Sequence, residues 1–274
     1  MLYIKKTDKP NLLERLFNIV YLKDKTISIP ITENTKQKKV EKLAIKTLKA
    51  IQKNSNSKKI ILSKEMQKEE VFINYLNTYG LEIQDGKWLF EVLLQEILEY
   101  IIEKKEIEKP SISILINDLN EIEYENIMAF AKKYQTINIV TNHIEKFKNL
   151  RKSLEEEGII ITLTNNKKKS LMKSNIIINV DFPQGLFDKY SIREDCILIN
   201  IKQNIKIKKK KFEGIIINDY EINFKDCELI KENFGNEFCF KDIYEGEFYR
   251  RQTVSDIRKK VLRDKVIVNR LKYV

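Results

Sequence analysis

The groups in this chain able to do chemistry are few, and they fall into short runs. His143 is the single histidine, so any imidazole acid or base would have to be this one. It stands in the run Asn142-His143-Ile144-Glu145-Lys146, directly after an apolar stretch. A second polar run, Asn117-Asp118-Leu119-Asn120-Glu121-Ile122-Glu123, follows another apolar stretch, and Asp181-Phe182-Pro183 follows a third. Cys196, Cys227 and Cys239 lie 31 and 12 positions apart. With no CxxC pairing and one histidine, neither a disulfide framework nor a protein-only zinc site is expected. Cys196 and Cys239 read as small buried apolar groups. The cations gather in two places. Residues 202–211 hold six lysines and no acid, among them Lys206, Lys208 and Lys209. Residues 247–274 hold nine Lys or Arg against three acids, and include Arg250, Arg251, Arg258 and Arg263. Guanidinium pairs with phosphate or carboxylate in a planar, bidentate manner, so these are the candidate anion-binding or partner-binding residues. The rings of Phe238, Phe240, Tyr244, Phe248 and Tyr249 precede them and read as core packing rather than as a platform for bases.

The elements that must hold these groups alternate. Residues 26–31 read as a strand, 35–54 as a helix, 58–63 as a strand and 65–79 as a helix. Residues 81–83 form a short strand, and a strongly apolar helix over 87–104 closes a first α/β domain at 109, before Pro110. From 111 the rhythm is regular. Strands at 112–116, 137–141, 159–163, 176–180, 196–201 and 214–217 alternate with helices at 121–134, 144–157 and 167–173. Continuous apolar strands between helices predict a parallel sheet covered on both faces. The domains are expected at 1–109, 110–223 and 224–274. The last is a basic segment packing back on the body, with a helix at 254–263 capped by Thr253.

On these residues, 111–223 resembles the NAD(P)-binding Rossmann domain of the shikimate dehydrogenase-like group. The order is an N-terminal α/β domain, a linking helix, this domain and a returning C-terminal segment. The run 142–146 resembles a degenerate Asn-Arg-Thr-x-x-Lys segment, which meets the NADP 2′-phosphate in that group. Residues 174–180 with Asp181-Phe182-Pro183 resemble its fourth strand and nucleotide-side loop. The resemblance implies an α/β fold, a doubly wound, mostly parallel Rossmann-like sheet preceded by a smaller α/β domain. It also implies NADP-linked oxidoreductase activity, with Asn117, Asp118, Asn142, His143, Lys146 and Asp181 in the cleft. For the group's catalytic Lys–Asp pair it offers Lys64 and Asp85, which otherwise read as surface charges.

The chain departs from that pattern where the cofactor would sit. Glycines in the turn after the first strand let the backbone approach a pyrophosphate, and the helix N-terminus then donates its amides. Here residues 117–123 contain no glycine. Asp118, Glu121 and Glu123 favour the helix N-terminus themselves. They would repel a phosphate by roughly 1 kcal/mol per exposed charge, and about 4 where partly buried. The second strand ends in Thr141-Asn142, without the acid that holds an NAD ribose. Conventional dinucleotide binding is therefore expected to be lost, and no cofactor is expected.

Composition bounds the remaining classes. Across 274 residues, 42% are apolar and 33% charged, which excludes a disordered chain. The net charge is +11, but only eight of the 51 basic residues are arginine. A lysine-rich, Ile- and Asn-rich chain reflects coding background as much as a nucleic-acid partner. No leader or spanning segment is visible, and three free cysteines fit a reducing cytosol, so a cytoplasmic protein without a membrane partner is expected. The leading reading is a binding, regulatory or assembly protein for a small anionic ligand or an acidic protein surface, with homo-oligomers open. An NADP-linked reductase and a nucleic-acid binder using the C-terminal basic patch are the alternatives.

Overall fold

The computed structural model describes residues 1–56, 58–208, 211–248 and 252–273. The chain divides into two compact units, Met1–Gly86 with Phe224–Gln252, and Lys87–Asn223 with Thr253–Val274. The first unit begins with β1 (Leu2–Lys6), α1 (Leu12–Phe17), β2 (Tyr21–Lys23), β3 (Thr26–Ile29), α2 (Gln37–Asn54), β4 (Lys59–Leu62), α3 (Glu70–Thr78) and β5 (Glu82–Gln84). Its sheet runs β2-β3-β1-β4-β5, parallel except for β2 against β3. Ile4 lies opposite Ile27 on one side and Leu62 on the other, and all three are fully buried. In α2 the buried Val40, Leu43, Ala44, Thr47 and Ile51 recur at helical spacing, so one stripe enters the core and the lysines between face water.

The second unit contains α4 (Lys87–Val92), α5 (Leu94–Lys104), β6 (Ser111–Leu115), α6 (Glu121–Lys133), β7 (Thr136–Val140), α7 (Lys148–Glu156), β8 (Thr162–Thr164), β9 (Ile176–Asn179), α8 (Gln184–Phe187), β10 (Ile197–Asn200) and β11 (Ile215–Asn223). The chain then adds α9 (Cys227–Phe234) and α10 (Phe240–Gly246) to the first unit. It ends with α11 (Val254–Arg263) and β12 (Ile267–Tyr273) in the second. The seven strands lie in the order β12-β11-β10-β9-β6-β7-β8, parallel except for β12. Counting β6 to β11 as one to six, this is the 3-2-1-4-5-6 order of a doubly wound Rossmann-like sheet. Every residue of β9 and β10 is buried, and each strand opens with three apolar residues before a buried asparagine, Asn179 or Asn200.

Several elements differ from the sequence reading, and the strand expected at 159–163 is found at Thr162–Thr164. The apolar helix expected over 87–104 is broken at Leu93, and its halves pack on α6 and β12. The division of the chain therefore falls at Gly86. The C-terminal segment is shared between the two units, and Thr253 caps α11 by accepting the Asp256 amide. Residues 167–173 form turns and no helix, because the Asn166 carboxamide oxygen accepts the Lys168 and Lys169 amides at 3.0 and 3.1 Å.

Strand β11 starts at a close approach of two backbones. A Cβ on Gly214 would stand 2.1 Å from the Cys196 carbonyl oxygen, which itself accepts the Ile215 amide. Gly214→Ala is expected to destabilise the protein by about 1–3 kcal/mol, as overpacking of a tight contact does, measured by urea denaturation.

Candidate functional site

In an open α/β sheet the ligand crevice lies beyond the carboxyl ends of the strands where the strand order reverses, here β6 and β9. The turn after β6 presents two backbone amides at that point. Asn117 N–H donates to the Asp181 carboxylate at 2.8 and 3.0 Å, and Asp118 N–H donates to it at 2.9 Å. A carboxylate thus lies in the kind of backbone nest that binds phosphate in other proteins. The helix that follows is closed by its own side chains as well. Asn120 accepts the Glu123 amide at 2.9 Å and Glu123 accepts the Asn120 amide at 3.0 Å, a complete capping box.

The other expected cleft residues converge on the same edge. The Asn117 side-chain oxygen accepts the Asn142 amide at 3.1 Å and its side chain at 3.4 Å. Lys146 pairs with Asp118 at 2.5 Å, a bond that holds the Asp118 carboxyl below its ordinary range. His143 donates its backbone N–H to the Thr141 hydroxyl at 3.0 Å and leaves its ring exposed. Burial pushes the Asp181 carboxyl up, against the opposing pull of the Asp118 and Asn117 amides.

Sequence reasoning missed the cation behind this edge. Lys202, first of the lysine run, bonds Glu123 at 2.7 Å and Glu91 of α4 at 3.2 Å, and the two acids are 4% and 7% exposed. Burial pushes the Glu91 carboxyl up more than Lys202 pulls it down. Desolvation weakens the Lys202 ammonium, yet its Glu123 bond and the Glu91 charge leave its pKa raised. The signal was present as Glu91 inside an otherwise apolar run, where an acid demands a partner.

Two of the expected anion-binding arginines have acidic partners within the chain. Arg258 is engaged by Glu96 at 3.3 Å and by the Asn126 side chain at 2.7 Å, so this guanidinium holds α11 to its neighbours. Arg263 is exposed and pairs with Asp264 at 3.2 Å. Lys206 and Lys208 are exposed, with the Lys206 backbone held by Gln184. Lys209, Arg250, Arg251 and Tyr249 lie outside the described residues. Phe238 and Tyr244 are buried in the first unit, Phe238 packing on Tyr3 and Tyr244 on Phe224. Cys196 is buried and Cys239 half-buried. Lys64 is exposed after β4, and the Asp85 carbonyl accepts the Lys241 ammonium after β5. Among the described residues no three of His, Cys, Asp or Glu gather as a metal site, and no helix is long and apolar enough to cross a membrane.

No protein-family model and no curated protein matches the chain. Among solved structures it is similar to an ornithine carbamoyltransferase from Pyrococcus furiosus at 11% identity and a TM-score of 0.30, covering 89% of this chain and 80% of that one. It is also similar to a putative aspartate carbamoyltransferase from Trypanosoma cruzi at 8% identity and 0.29, covering 89% and 78%. These likenesses carry no statement about activity, and the fold class rests on the strand order.

Two outcomes follow from the edge. Asp181→Ala leaves the Asn117 and Asp118 amides without their charged acceptor and is expected to cost about 1–3 kcal/mol in urea melts. Because the folded Glu91 pKa lies above its ordinary 4.5, the folded state binds more protons just above that value. Stability attributable to Glu91 therefore falls as pH rises through that window. Glu91→Gln should flatten this slope when melts are compared across the acid range.

Proposed function

We propose that this chain is a Rossmann-like binding, regulatory or assembly protein that uses no dinucleotide, because its own carboxylate takes the place of the pyrophosphate. The observation that carries this reading is Asp181 on the Asn117 and Asp118 amides. A phosphate arriving there would have to displace a charge-assisted acceptor, the Asp181 carboxylate. The resemblance to the shikimate dehydrogenase-like group is supported by the strand order and by the place of residues 142–146. In that group's pattern Lys146 would meet the NADP 2′-phosphate; here it is held by Asp118. No cofactor is part of this reading. The exposed Lys206 and Lys208 remain the anion- or partner-facing groups of the lysine loop.

Calorimetry with NADH and NADPH on the whole chain tests the reading. The expected result is no saturable heat with either nucleotide. Micromolar binding of either would overturn it, and loss of that binding in Lys146→Ala would restore the NADP-linked reductase.

A further inference from the structure

One corner of the first unit combines two features outside the site described above. The first is an apolar ridge. Helix α1 buries none of its residues. Its Leu12, Leu13, Leu16 and Phe17 are 70%, 59%, 64% and 64% exposed. At the helical turn per residue these four side chains span one arc of about 140°. Tyr21 and Leu22 on the edge strand β2 are exposed beside them in sequence. The ridge is nevertheless built in place. Asn11 and Glu14 form a capping box, and the Lys46 ammonium bonds the Phe17 and Asn18 carbonyls at 2.6 and 3.0 Å.

The second feature is a cleft of about 420 Å³ whose lining includes Leu16 of that ridge together with Arg15, Lys36, Lys38, Lys39 and Lys42. Its lining contains five cations and no carboxylate. The first turn of α2, which forms one wall, carries no acid, and Lys36 makes no side-chain cap, so the helix end adds to the positive field. Glu14, Glu33 and Glu41 each adjoin a lining residue in sequence but none lines the cleft, and Glu14 is turned to the Asn11 amide at 2.8 Å.

We propose that this corner binds the surface of an anionic lipid bilayer. Leu12, Leu13, Leu16 and Phe17 enter the boundary between headgroups and acyl chains, while Arg15 and the α2 lysines meet the headgroup phosphates. An apolar ridge beside a polybasic patch supplies the two signals that surface attachment needs. Lysine is a mobile point charge, suited to a diffuse field of phosphates rather than to one bidentate site. A nucleic acid would use the cations and leave the leucines in water. A second copy docked across a two-fold axis would face like charges with like. A helix-binding groove in a protein reads anchors over two turns, which a six-residue helix does not offer. The absence of a spanning segment, on which the expectation of no membrane partner rests, does not bear on a helix that lies on the surface.

The test is cosedimentation of the full chain with phosphatidylcholine vesicles and with vesicles in which about a third of the lipid is phosphatidylglycerol. The expected result is binding to the anionic vesicles alone, lost as salt rises. Lys36→Glu/Lys38→Glu/Lys42→Glu should lower partitioning by on the order of a hundredfold. Leu16→Asp/Phe17→Asp should lower it by about tenfold or more. All five positions are exposed, so unchanged thermal melts are expected to show that both variants fold. No binding, equal binding to neutral vesicles, or unaltered binding by either variant overturns the proposal. So does a salt-sensitive RNA complex without vesicle binding, or a dimer dissolved by Leu16→Asp/Phe17→Asp. None of these results depends on whether NADPH binds.

Discussion

The second unit depends on a carboxylate being in the right place for two amides. The strand order sets the loops after β6 and β9 side by side, so that the Asn117 and Asp118 N–H groups point into the crevice. Backbone donors in such a place need an acceptor. A glycine-rich turn would leave them to a ligand; here the loop after β9 supplies Asp181. That acceptor is covalently part of the chain, so the bonds join the loops after β6 and β9. Asn117 then ties the turn to Asn142 after β7, and Asp118 ties it to Lys146. Three strand ends are thereby linked through one turn.

The charges behind this joint obey the same rule. Glu123 faces inward because it caps α6, and Glu91 faces inward because it sits on the buried side of α4. Two buried acids this close need a cation, and Lys202 is that cation. Arg258 plays a similar part between Glu96 and Asn126, whose amide also donates to the Glu91 carbonyl at 2.8 Å. Cations that look like the start of an external patch in a charge count are therefore internal struts. Counting charge along a sequence cannot separate the two, since the sign of a residue says nothing about the direction it faces.

Much of the second unit was legible because its strands are isoleucine-rich runs with polar residues directly after them. That pattern places Asn117, Asn142 and Asp181 at one sheet edge. It could not give their pairing, which is set by how the loops after β6, β7 and β9 approach one another in space, with bonds of 2.8–3.4 Å. The first unit was less legible at its start. β1 ends in Lys5 and Lys6, and both lysines are held by acids distant in sequence, Glu237 and Glu69. α1 carries four large apolar residues that hydrophobic patterning would place inside, although none is buried. The break at Leu93 was hidden because apolar residues continue through it. The cationic cleft was missed for another reason: Arg15 and Lys36–Lys42 are diluted by nearby Glu14, Glu33 and Glu41 in sequence, whereas none of these acids lines the cleft.

The two long helices that start at sheet edges therefore stand in opposite electrostatic states. The N-terminus of α6 is closed by Asn120 and Glu123, and the amides just before it are closed by Asp181. The N-terminus of α2 has no side-chain cap and no acid in its first turn, and lysines surround it. A helix end filled by its own carboxylates cannot exchange anions without losing stability. An uncapped one in a cationic cleft gains from any anion that reaches it. The exposed cations with no carboxylate in their lining thus lie at α2 in the first unit, while the amides at the reversal point of the second are held by Asp181.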